Sequence, residues 1–147
     1  MEELLELRNY IEQGRTADAL FIVDELTEMA KEDKINKIGS FMVILLTHLI
    51  KSHTEKKMTA SWKRSVRFSV DQIQETNKRR SAGGEYLTTA DLLERLNDRF
   101  AFALREAASE AFGGAYSHKH IATMIDAEAV KQEALSYILH GIPDDDE

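Results

Sequence analysis

The chain contains no cysteine, a single proline and no long hydrophobic run. Without cysteine there is no disulfide framework, no thiolate zinc site and no cysteine nucleophile. The one proline is Pro143, so helices can run uninterrupted through everything before it. The most apolar run, Phe41 to Ile50, is 10 residues long and contains Thr47 and His48. A bilayer core needs about 20 apolar residues, so this run reads as a buried core helix and no membrane partner is expected. The first residues, Met1-Glu2-Glu3-Leu4-Leu5-Glu6, are acidic and lead into no apolar stretch with a small-residue cleavage site. No signal peptide is read there, and the expected location is the cytoplasm.

Several chemical motifs are also missing. There is no Gly-x-x-x-x-Gly-Lys-[Ser/Thr] phosphate loop, no Gly-x-Ser-x-Gly elbow and no Glu-x-x-His pair of the di-iron bundles. Gly83-Gly84 follows the basic Lys78-Arg79-Arg80 but fits no phosphate-binding pattern. No cofactor is expected, and no catalytic or metal-ligating set stands out. The sequence singles out no activity.

What is present is helical. The 147 residues are about one domain's worth and can bury a sizeable core. Residues 1–142 read as a single helical domain, and 143–147 as an acidic, solvated tail. The pattern predicts an all-α, irregular bundle of five to seven helices, six of them main ones. The first runs from Glu2 to Gln13, where Gly14 can stop it. Thr16 then caps a second, whose apolar stripe is Ala17, Leu20, Phe21, Val23, Leu26, Met29 and Ala30. The short link between them predicts an antiparallel hairpin. A third helix, Lys34 to His53, is apolar on nearly all sides and should be central. Thr54 to Met58 reads as a connection. Thr59 or Ser61 caps a fourth helix, which runs to Arg80 and buries Trp62, Val66, Val70 and Ile73. Thr88 or Thr89 caps a fifth, with Leu92, Leu96, Phe100, Ala103, Ala107 and Ala111 in one stripe. A short turn follows Ser117. Asp126 caps the last helix, with Val130, Ala134, Leu135, Ile138 and Leu139 apolar.

Some of these residues form a familiar set. Asp33-Lys34-Ile35-Asn36-Lys37-Ile38 is followed by Leu45-Leu46-Thr47-His48-Leu49-Ile50-Lys51 and Ser61-Trp62. Then come Thr76-Asn77-Lys78-Arg79-Arg80, Gly83-Gly84 and Glu110-Ala111-Phe112-Gly113-Gly114. In this order the chain resembles the bacterial, mostly cyanobacterial, domain-of-unknown-function family number 29, over nearly its whole length. The resemblance implies a helical fold. It carries no activity, cofactor or site residue that could be transferred to positions here.

The histidines and the single tryptophan are the other candidates for a site. His48 sits among apolar residues and could serve as a base or as a core histidine with a backbone partner. His53 is five residues on and points elsewhere, so the i, i+4 pairing of helical metal sites is missing. His118 and His120 flank Lys119 after a glycine turn and read as surface residues. Trp62, the only tryptophan, is either a partner anchor or part of the core stripe.

Charge is the least generic feature. Between Lys51 and Arg80 nine basic residues stand against three acidic ones, or +6, while the rest carries 10 basic and 23 acidic, or −13. Lys63, Arg64, Arg67, Lys78, Arg79 and Arg80 are therefore candidate binding residues. They could meet nucleic acid, but the net charge of −7 repels a polyanion at long range. Solvation, or docking on acidic helices of the same chain or a second copy, is the favoured reading. The expected function class is a non-enzymatic interaction or scaffold protein, binding an unknown protein or itself. A nucleic-acid-associated protein and an enzyme with a site near His48 are the alternatives. Exposed Phe21 and Met29 would support the first.

Overall fold

The computed structural model describes residues 2–79 and 83–143. Arg80, Ser81, Ala82 and the acidic tail from 144 lie outside them. The fold is all-α. Its helices are α1 (Glu2–Glu12), α2 (Thr16–Glu55), α3 (Ala60–Asn77), α4 (Thr89–Glu110), α5 (His118–Met124) and α6 (Ala127–His140). A 3-10 turn, Ala111–Gly114, follows α4. Among the described residues the only β pairing is an isolated bridge between Lys78 and Glu85. Two compact units divide the chain, Met1–Asn36 and Lys37–Glu147.

The first unit begins with α1, which buries none of its residues. Gly14 ends it in the left-handed region, at φ 69°, as a C-terminal glycine should. The Arg15 N–H reaches the Tyr10 carbonyl at 2.8 Å and the Gly14 N–H reaches that of Ile11 at 3.1 Å. These two bonds satisfy carbonyls that the helix end would otherwise orphan. The Arg15 guanidinium lies 4.5 Å from the Tyr10 ring centroid, where a hydrophobic contact usually seals this turn. The Ala19 N–H bonds the Arg15 carbonyl, so Arg15 and not Thr16 holds the cap position of α2. In this unit Ala19 and Ile22 are buried, and Leu7, Tyr10 and Leu26 are half-buried.

The second and third helices expected from the sequence are one, α2, of 40 residues. The charged stretch Lys31-Glu32-Asp33-Lys34 looks like a boundary. It consists mostly of good helix formers, holds no Gly or Pro, and lets the backbone bonds continue. The helix also runs through Thr54, which is buried. It ends at Lys56, whose φ of 56° is left-handed, with the Lys57 N–H on the Ser52 carbonyl at 3.3 Å.

The core of the second unit is built on the C-terminal part of α2. Ile38, Met42, Leu45, Leu46, Leu49 and Ile50 are fully buried. Each such side chain contributes roughly 1.5–3 kcal/mol relative to exposure. At Gly39 the Arg99 guanidinium lies close over the backbone, and a Cβ added there would stand 2.7 Å from its carbon, so a side chain would displace it. On α4, Leu92, Leu96, Phe100, Ala103 and Ala107 are buried in one stripe, and α4 packs on α5, α6 and the 3-10 turn. On α3, Val66, Val70 and Ile73 are buried, and α3 packs on α6.

Side-chain caps set the starts. Thr59 Oγ1 accepts from the Trp62 N–H, Ser117 Oγ from His120 and Asp126 Oδ1 from Ala129. Thr88 and Asp91 exchange a reciprocal pair of such bonds at 3.1 and 3.0 Å. That capping box fixes the start of α4.

At its other end α3 stops at Asn77, three residues short of Arg80, because Asn77 is spent on tertiary structure. It is buried, its Nδ2 donates to the Leu87 carbonyl at 3.1 Å, and its Oδ1 accepts the Leu87 N–H at 2.8 Å.

Candidate interaction face

The first unit leaves large apolar side chains in solvent. Phe21 is 63% exposed and Met29 52%, and Leu20 and Val23 are exposed too. The apolar stripe expected for this segment is therefore mostly outside, and the buried residues are its neighbours Ala19 and Ile22. Phe21, Asp24, Glu25, Glu28 and Met29 fall at i, i+3, i+4, i+7 and i+8, which is one helix face. They form one open stretch of helix surface. Its two ends are apolar and three carboxylates lie between them.

The second unit carries a concavity of opposite charge. Ile44 of α2 and Ser61, Arg64, Ser65 and Phe68 of α3 line about 370 Å³. Phe68 is 56% exposed and meets Phe41 edge-on, with ring centroids 5.8 Å apart. Arg64 is exposed, and Lys63 and Arg67 are half-buried on the same turns.

The basic candidates do not converge into one patch. Lys63, Arg64 and Arg67 sit in the first half of α3. Lys78 and Arg79 lie beyond its end, about 20 Å further along at 1.5 Å per residue. Lys78 and Arg79 are exposed, and the Arg79 guanidinium is 6.0 Å from the Tyr86 ring centroid. Arg80 falls outside the described residues.

His48 is half-buried, and its Nδ1 lies 2.8 Å from the Ile44 carbonyl one turn back, where it donates. Trp62 is half-buried beneath two cations, Lys51 Nζ at 4.7 Å and Lys57 Nζ at 5.8 Å from the ring centroid. His53, not His48, meets a carboxylate. Its Nε2 is 2.7 Å from Glu133 Oε1, and the Tyr137 hydroxyl donates to Glu133 Oε2 at 2.7 Å. His120 stacks on Tyr116, with ring centroids 4.7 Å apart. Among the described residues no group of three or more His, Asp or Glu is arranged to hold a metal ion. Nor, among them, is any helix long and apolar enough to cross a membrane.

Sequence reasoning missed Lys51. It is only 6% exposed and its Nζ lies 2.6 Å from Glu110 Oε1. The next residues tie down the glycine turn: the Phe112 N–H reaches Glu55 Oε2 at 3.3 Å, and Phe112 itself is left-handed at φ 52°. The available signal was a lone lysine inside an apolar helix. Three separated motifs thus meet in space, the one ending in Lys51, the Ser61-Trp62 pair and the Glu110-to-Gly114 turn.

A family model, domain of unknown function DUF29, matches residues 3–113, from α1 through those motifs to that turn. The chain belongs to this family. The match ends before α5 and α6, so it covers less of the chain than the motif resemblance suggested. No curated protein and no solved structure matches it. Membership in DUF29 brings no activity with it, and function has to be argued from this chain's own surfaces.

Proposed function

We propose that this DUF29 protein is a non-enzymatic helical interaction module that docks a protein on the α2 face from Phe21 to Met29. One observation carries the reading. A phenylalanine and a methionine two turns apart on one helix face stand more than half exposed, with acidic residues between them. Single exposed apolar residues need no explanation, but Leu20, Phe21, Val23 and Met29 are all large, exposed and within three turns of one helix. Glu25, Asp24 and Glu28 favour a basic or neutral partner and select against acidic ones.

Stability tests the claim that this face is held for a partner. The doubly substituted Phe21→Asp, Met29→Asp protein should melt within about 3 °C of the unsubstituted chain when both are dilute. Surface substitutions usually stay within about 0.5 kcal/mol, whereas aspartate in a packed core costs several. At about 2–4 °C per kcal/mol for a chain of this size, a fall of 10 °C or more would mean that the face is already used for folding.

A further inference from the structure

The acidic face and the basic concavity belong to the same chain, and this identifies an occupant. We infer that the partner is a second copy: the Phe21–Met29 face of each protomer docks on the Arg64–Phe68 concavity of the other, in a reciprocal, twofold dimer. This rests on the interaction reading above and names its partner.

The two surfaces match in size. Phe21 and Met29 are eight positions apart and Ser61 and Phe68 seven, so each surface runs about 10–12 Å along its helix. Each offers exposed apolar groups, Phe21 and Met29 on one, Phe68 and Ile44 on the other. Their charges are opposite, Asp24, Glu25 and Glu28 against Arg64, with Arg67 one turn further along α3.

The units differ in the same sense. Met1–Asn36 holds 10 carboxylates and four Lys/Arg, a net −6. Residues 37–143 hold 12 carboxylates and 15 Lys/Arg, a net +3, before the four acids of the tail. An acidic unit and a basic region in one chain are self-complementary. A twofold axis makes the contact twice, which is how isologous dimers use one pair of patches. Opposite potentials also guide encounter, so association should weaken with salt.

Charge reversal and mixing test this. The full chain is followed by sedimentation equilibrium over about 1–200 µM, at about 50 mM and about 500 mM salt. The expected result is a monomer–dimer equilibrium that weakens several-fold at the higher salt. Two reversed proteins are then prepared, Glu25→Arg, Glu28→Arg and Arg64→Glu, Arg67→Glu. Each alone sets like charges face to face and should raise the dimer Kd at least 10-fold.

Mixed one to one, they present opposite charges at both contacts, and the heterodimer should return to within about threefold of the original Kd. Restoration on mixing also shows that neither protein is merely misfolded. A wild-type chain that stays monomeric to 200 µM overturns the dimer, as does a dimer indifferent to both reversals, or reversed proteins that stay apart when mixed. Those results concern the second copy alone. The wider docking reading answers separately to the Phe21, Met29 stability measurement.

Discussion

Removing one partner of the Lys51–Glu110 pair should have very unequal effects depending on which is removed. Lys51 is buried and its ammonium lies 2.6 Å from Glu110 Oε1, while Glu110 keeps about half its side chain in solvent. Glu110→Ala strands a desolvated cation with the Trp62 ring beside it, 4.7 Å from the ring centroid. A fully buried pair broken this way loses about 3–5 kcal/mol, and the half-exposed carboxylate together with the Trp62 ring reduces that to about 2 kcal/mol. Lys51→Met removes the charge along with its need for a partner and keeps the stem's volume. Hydrophobic replacement of buried ions is often neutral or stabilising, so it should stay within about 1 kcal/mol of the unsubstituted protein. Combined with Lys51→Met, Glu110→Ala should cost almost nothing more. Trp62 is the only tryptophan and touches Lys51, so its fluorescence in a urea titration follows unfolding of this region. The reasoning fails if Lys51→Met proves the more damaging substitution, or if the two losses simply add.

Two further substitutions probe how the chain turns. Asn77→Ala should cost about 2–3 kcal/mol, because it leaves the buried Leu87 N–H and carbonyl without partners. A denaturation midpoint unchanged by it would mean that the reversal after α3 is held by something else. Lys56→Gly should raise stability by about 1 kcal/mol, since Lys56 sits at a left-handed φ that glycine reaches without strain. A loss of stability there would show that the Lys56 side chain contributes more than its backbone conformation costs.

The second unit was the more legible in sequence. Its apolar residues recur at helical spacing and are buried where the period puts them, as in Leu92, Leu96, Phe100 and Ala103. Thr88, Ser117 and Asp126 cap the helices they precede, because a short oxygen-bearing side chain before an apolar repeat has a local role. Features that depend on distant partners were not legible. Lys51 needs Glu110, 59 positions away, and Asn77 needs Leu87 across a turn. The continuity of α2 through Lys31 to Lys34 escaped because charged residues mark helix surfaces as readily as helix ends.

In the first unit periodicity misled. Leu20, Phe21 and Met29 look like a core stripe, yet Ala19 and Ile22 are what is buried. A pattern of apolar residues shows that a face will be covered and leaves open what covers it. The candidate site was therefore visible as residues and not as an exposed surface.

The most direct test is photo-crosslinking in living cells that express the chain with the photoreactive residue p-benzoylphenylalanine in place of Phe21. The account predicts a light-dependent adduct to protein, running at about 33 kDa, twice the chain's 16.7 kDa, because the partner is a second copy. The same residue in place of exposed Lys31 should give far less. An adduct of another mass would keep the docking face and replace the second copy with a different protein. A chain that stays at 16.7 kDa after illumination, at position 21 as at position 31, would contradict the claim that this face is built to be covered.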